Sequence, residues 1–195
     1  MKDALSGKGL SLARRQRRSE KRKIHISIFI LRGFAASRER FLMARIVVPA
    51  HSDHLFWLAN NMSQADREEV AAAVGMGPYR ALKDSLERSA VAWTGLMNDE
   101  PVCMWGVTPL DILGGIGSPW LLGTDQVQKY GFTFLRECKR RLPAMLELFP
   151  VLANYVDARH GRAIRWLKWL GFKFDPEPAP YGIWNMPFFR FEMRR

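Results

Sequence analysis

The sequence predicts an α+β fold: a mixed central sheet with helices on both faces. Three observations lead there. Of the 195 residues, 48% are hydrophobic, enough for one well-buried core. Runs of helical period and runs of strand period follow each other in a definite order over residues 43–195. In the middle, two strand-like runs flank the turn-forming Asn98-Asp99-Glu100, and strands and helices alternate after them.

Taken in order, residues 45–50, "RIVVPA", read as a short strand. "SDHLFWLANNM" sets Leu55, Leu58, Ala59 and Met62 on one helical face, with Ser52 or Asp53 placed to cap it. "SQADREEVAAAVG" is a second helix, with Ser63 and Asp66 resembling a capping box and Gly75 as its stop. "GPYRALKDSLERS" supplies a third. The hairpin "AVAWTGLM" and "PVCMWGV" follows, then a loop "PLDILGGIGSP" and a strand "WLLGT". "DQVQKYGFTFLRECKRRL" is the longest helix, with Val127, Tyr130, Gly131, Phe134 and Cys138 on one stripe. Pro143 should interrupt it or begin a new turn. "VLANYVD" is a strand and "GRAIRWLKWL" a helix that buries Ala163, Trp166, Leu167 and Leu170. Gly171 ends it; "FKF" and the alternating "FFRFEMR" close the sheet.

The net charge of +11 is unevenly placed. Residues 1–42 carry 12 of the 30 Lys and Arg but three of the 19 acids, leaving 18 basic and 16 acidic residues elsewhere. The charge argument therefore belongs to a basic extension, 1–42, ahead of a nearly neutral domain, 43–195. Three readings stand for the extension. It is an over-extended start, since Met43 opens a domain-like run; a disordered arm; or an arm that contacts nucleic-acid phosphates. Cys103 and Cys138 lie in apolar runs and read as reduced thiols of the bacterial cytoplasm. No apolar run approaches the ~20 residues of a membrane span.

The order of strand, helices, hairpin, strand, long helix, strand, short helix and two strands resembles the GNAT acyltransferase fold over residues 43–195. More narrowly, "DREEV", "PVCMWGV", "GSPWLLGTD", "NYVDARHGRAIRWLKWLGF" and "FFRFEM" are similar to the internal virion protein A family of podophages, a GNAT-like group. That resemblance implies a phage or prophage protein in virion assembly or inside the particle. Its partners would be phage structural or assembly proteins, and its place the host cytoplasm or the virion.

The GNAT resemblance also implies a coenzyme A site that this sequence departs from. "WLLGTDQVQKYG" keeps Gly123 but lacks the further glycines of a Q/R-x-x-G-x-G/A loop, whose N–H groups would hold a diphosphate. Asp125 is expected near the helix N-cap, where a second anion within ~5 Å would meet a few kcal/mol of repulsion. In "HGRAIRWLKWLGF", Ala163 is kept, but His160 stands where the family has Asn and Leu167 where it has the proton-donating Tyr. Tyr155 and Tyr181 are the substitutes on hand, and neither has the expected spacing. The expectation is a retained scaffold without efficient transfer: no catalytic residue, no cofactor. The alternative is an acetyl-coenzyme A-dependent N-acyltransferase with a non-standard cleft at Leu122, Gly123, Thr124, Gln126, Asn154 and His160.

Other motifs yield less. "GGIGSP" precedes a strand rather than opening a helix, and so reads as a turn. His51 and His54 lack a third ligand, so no metal is expected. His160 reads as a capping or surface residue. No G-x-S-x-G elbow exists. Trp169 lies one turn from Arg165, as in a cation–π cover, and Trp184, Phe188 and Phe189 suggest an exposed apolar patch.

Overall fold

A computed structural model describes residues 47–195, with the backbone alone at 128–130. The basic extension and the start at Met43 lie outside the described residues. Eight strands form one mixed sheet: β1 (Val47–Pro49), β2 (Val91–Met97), β3 (Glu100–Asp111), β4 (Ile116–Gly123), β5 (Val151–Asp157), β6 (Lys173–Phe174), β7 (Ala179–Tyr181) and β8 (Met186–Arg194). Their spatial order is β1-β2-β3-β4-β5-β8-β6, with β7 also on β8. Every pairing is antiparallel except β4 with β5.

Three helices precede the hairpin: α1 (Asp53–Asn61), α2 (Gln64–Val74) and α3 (Pro78–Arg88). Two come later, α4 (Val127–Leu148) and α5 (Gly161–Leu170). Alternation along β3 divides its side chains between two cores. Met104 packs with Leu55, Leu58, Met62 and Leu82 of the early helices. Cys103, Trp105 and Val107 pack with Phe134, Cys138 and Met145 of α4. Helices thus cover both faces, as the periodicity predicts.

Local signals held at several ends. Ser63 Oγ accepts the N–H of Asp66 at 3.2 Å, and Gly75 takes the left-handed conformation at φ 66° as the C-cap of α2. Asn98 and Asp99 turn the hairpin with φ of 52° and 64°. At α1, however, Ser52 is the N-cap residue without a side-chain cap.

Tertiary packing overrode other expectations. α4 runs through Pro143 without a break. Leu142 and Met145 on either side of it are both buried, and that burial outweighs the interrupted hydrogen bond. The expected loop at 109–119 is mostly strand, because β3 and β4 pair as far as Asp111 and Ile116 around a short turn. β7 was not foreseen; at three residues it carries no periodic signal. Phe188 is buried and Phe189 half-buried, so only Trp184 of the supposed apolar patch is exposed.

The β7–β8 turn rests on α2. Ile183 and Trp184 donate their N–H groups to Ala73 and Ala72 carbonyls at 3.3 Å each. Gly182 has φ 74°, and a Cβ there would lie 2.4 Å from the Ala72 oxygen. Gly182→Ala should therefore lose about 2 kcal/mol of stability in urea unfolding, from backbone strain plus contact with an immovable carbonyl.

Candidate functional site

β4 and β5 pair only at Ile116 with Val151 and Gly117 with Leu152, and then part. The gap opens a cavity of about 440 Å³, walled by Trp120 to Thr124 on one side and Asn154 to Val156 on the other. Alternation of the backbone tells which groups face it. Thr124 donates its N–H to Val102 O on β3 at 2.8 Å. Leu122 and Trp120 must then also face β3, while Gly123, Leu121 and Pro119 face the gap.

Two of those three are already engaged. The Pro119 carbonyl accepts from Asn154 Nδ2 at 2.9 Å. Gly123 donates its N–H to Asp66 Oδ2 at 2.9 Å, and its carbonyl accepts the Ser63 N–H at 2.8 Å. Leu121 lies between them. Its N–H and C=O point into the gap, where no strand pairs with them.

Against this edge stands a cluster that couples α2 to α5. His160, the N-cap residue of α5, makes no side-chain cap. Its Nδ1 is 2.7 Å from Glu69 Oε2, and its Nε2 is 3.7 Å from Asp66 Oδ1. The side chains of His160 and Asp66 are each 10% exposed, and that of Glu69 25%. His160 is thus enclosed rather than on the surface. Burial raises the pKa of Asp66, over the opposing pull of the Gly123 N–H, the His160 charge and Ser63. Burial likewise raises Glu69, against its hydrogen bond to His160. For His160 burial works downward, but the bond to Glu69 and the charges of both carboxylates hold its pKa above the ordinary value.

Of the residues expected in a cleft, Leu122, Gly123, Thr124, Asn154 and His160 do line the cavity, and Gln126 does not. Gln126 is the exposed N-cap residue of α4, and Asp125, also exposed, precedes it. The first turn of α4 is held by Thr124, whose Oγ1 accepts from Gln126 N–H at 3.2 Å and whose carbonyl accepts from Val127 N–H at 3.1 Å. The buried carboxylate beside β4 is therefore Asp66, from a different helix. Gly131 sits inside α4 at the crossing with α5, where a Cβ would lie 3.1 Å from Trp166.

Asp66 and Glu69 are what sequence reasoning missed. A signal existed: they share one helical face with Val70 and Ala73, so two acids stood on the apolar side of α2. Tyr155 and Tyr181 also line the cavity, their rings stacked at 3.9 Å. Trp105 lines it too, and its indole N–H is the buried side-chain donor without a partner among the described residues. The expected burial of the α5 face is incomplete. Ala163, Trp166, Leu167 and Leu170 remain half-buried because they border this space. Trp169 is covered by Lys139 at 4.9 Å rather than by Arg165.

The cysteines offer no nucleophile. Both are free and buried, and burial pushes Cys138 up to about 12 and Cys103 well above its usual value. No group of metal ligands occurs among the described residues, where His54 instead meets Thr94 Oγ1 at 2.9 Å. No helix among them is long and apolar enough to cross a membrane.

The fold as a whole is also found in known structures. A ribosomal-protein-alanine N-acetyltransferase from Brucella melitensis superposes with a TM-score of 0.58 at 11% identity, over 76% of this chain and 99% of that one. A spermidine N-acetyltransferase from Vibrio cholerae, in complex with coenzyme A and spermine, gives 0.57 at 9% identity, over 76% and 94%. An acetyltransferase from Bacillus subtilis in complex with coenzyme A gives 0.54 at 11%, over 76% and 97%. The fold is that of the GNAT acetyltransferases. No protein-family model matches the chain, and neither does any curated protein. Nothing among the matches points to the internal virion protein A family.

Within this fold, the parted strands leave the Leu121 N–H and C=O open to an extended, amide-bearing ligand. At the start of α4, Thr124 already takes the N–H groups of Gln126 and Val127, leaving no glycine loop for a diphosphate.

Proposed function

We propose that the protein is an N-acyltransferase that uses an acyl-coenzyme A as substrate in a cleft of unusual lining. The observation that carries this is the parting of β4 from β5, which opens the cavity and turns the Leu121 N–H into it, with the Glu69–His160 pair also on its wall. The Leu121 N–H would polarise the thioester carbonyl. Glu69, whose pKa burial raises above the ordinary carboxylate value and which is hydrogen-bonded to His160, would take the proton of an attacking amine while His160 orients it. A C–N bond forms as the C–S bond breaks, and the departing thiolate takes a proton from a phenol of the cavity wall, Tyr155 or Tyr181.

Calorimetry with acetyl-coenzyme A and a thiol-release assay over a panel of amines test this. Amine-dependent thiol release is expected. Glu69→Gln should lower kcat about 100-fold with little change in donor affinity. Absence of both donor binding and thiol release would remove the reading.

A second reading keeps the fold without the transfer: a particle-associated or assembly protein of a phage, as the sequence resemblance implies. Its loss of transfer, though not its phage role, is supported by Gly123, whose N–H and C=O are engaged by Asp66 and Ser63, and by Leu167 at the position of the family's acid. Co-purification with phage structural proteins and no thiol release would support it.

A further inference from the structure

The end of β4 is already occupied by a piece of the same chain. Met62 and Thr124 form an isolated antiparallel bridge. Next to it, the Ser63 N–H reaches Gly123 O at 2.8 Å, and Asp66 Oδ2 takes the Gly123 N–H at 2.9 Å. Met62, Ser63 and Asp66 together thus treat the β4 edge as an added strand would, by capping its last rung on the gap side. The rung before it, Leu121, stays open. An extended, amide-bearing substrate laid along this edge would meet one open rung and one taken.

From this geometry we infer that the first turn of α2 is a strap over the donor cleft, and that Asp66 sets donor affinity by holding it shut. The inference rests on the acyl-donor reading above. An incoming arm that pairs with both rungs must displace the Asp66 carboxylate and the Ser63 N–H. Removing either strap group should lower that cost. The Ser63 site tolerates proline in backbone terms: Ser63 has φ −58° and ψ 149°, and Met62 before it has φ −57° and ψ 138°, extended angles compatible with proline and its predecessor.

Acetyl-coenzyme A is the probe, titrated calorimetrically into the full chain and three variants. Asp66→Ala frees the Gly123 N–H. Ser63→Pro deletes the other strap donor together with the Ser63 Oγ cap on the Asp66 N–H, and leaves every charge in place. Asp66→Asn removes the charge but keeps an oxygen for the Gly123 N–H. Asp66→Ala and Ser63→Pro should each bind about tenfold more tightly than the natural chain, the equivalent of one net hydrogen bond, and Asp66→Asn should change much less. Thermal unfolding of each variant reports that it is folded. If Asp66→Asn gains as much as Asp66→Ala, charge and not strapping sets affinity, and the inference fails. Equal binding by all four chains overturns the strap and leaves the donor reading standing. No binding by any of them removes both.

Discussion

His160→Ala should cost about 3 kcal/mol of stability at mildly acidic pH, because there it strips the cation from between two enclosed carboxylates. The effect has a pH signature that an ordinary cavity mutation lacks. His160 has a folded-state pKa raised above 6.5, so its contribution is complete below 6.5 and is lost as pH rises through the elevated value. Asp66 and Glu69 are also raised, above 3.8 and 4.5, so their ionisation weakens the fold as pH climbs through their folded values. The charged groups around His160 are those two carboxylates, Asp157 and Arg162. The gap between the natural chain and His160→Ala should thus be widest where the carboxylates are ionised and the imidazole still charged. It should narrow toward alkaline pH, and narrow again once Asp66 and Glu69 take up protons. Urea unfolding across the pH range measures it. A penalty that stays constant with pH would mean that the imidazole acts by filling space alone.

Phe134→Ala should cost about 4 kcal/mol, the loss expected for a phenyl ring that is 1% exposed in the larger core. The ring lies over Gly95 of β2, where a Cβ would come within 2.5 Å of Phe134 Cε1 and 2.9 Å of Cys103 Sγ. Gly95→Ala should consequently overpack the site and destabilise the natural chain. In a Phe134→Leu background the same substitution should cost less, since the smaller side chain leaves room. A double-mutant cycle by chemical denaturation reads the coupling. Strict additivity would show that the ring and the glycine do not share one packing constraint.

Much of the fold was legible because local rules and tertiary needs agreed. The capping serine and left-handed glycine of α2, the Asn98-Asp99 turn and the apolar stripe of α4 each carry a signal within one or two turns of chain. Pro143 was misjudged because its local cost is visible in sequence, whereas the burial of Leu142 and Met145 is not. The extra length of β3 and β4 was missed for the same reason, since each strand is stabilised by the other.

The site divided along a similar line. Five of the six residues expected in the cleft came together because they lie on β4, β5 and the start of α5, which meet at the parted pair. The expectation of an anion beside β4 attached to Asp125, the acid nearest in sequence, while the carboxylate in place is Asp66, 57 residues away from its Gly123 partner. Periodicity reports which face of a helix is apolar, but not which strand end that face will touch.

By itself, then, the sequence determined the layers and the element order, because both depend on side-chain patterns repeated every two or 3.6 residues, while the neighbourhood of the cleft came only through the resemblance to the GNAT fold. Only the tertiary structure decided that α2 lies across the parted strands with Asp66, Glu69 and His160 in contact. Hydrogen bonds and charge pairs act over a few ångströms of space, and nothing in chain order reports which distant groups will share them.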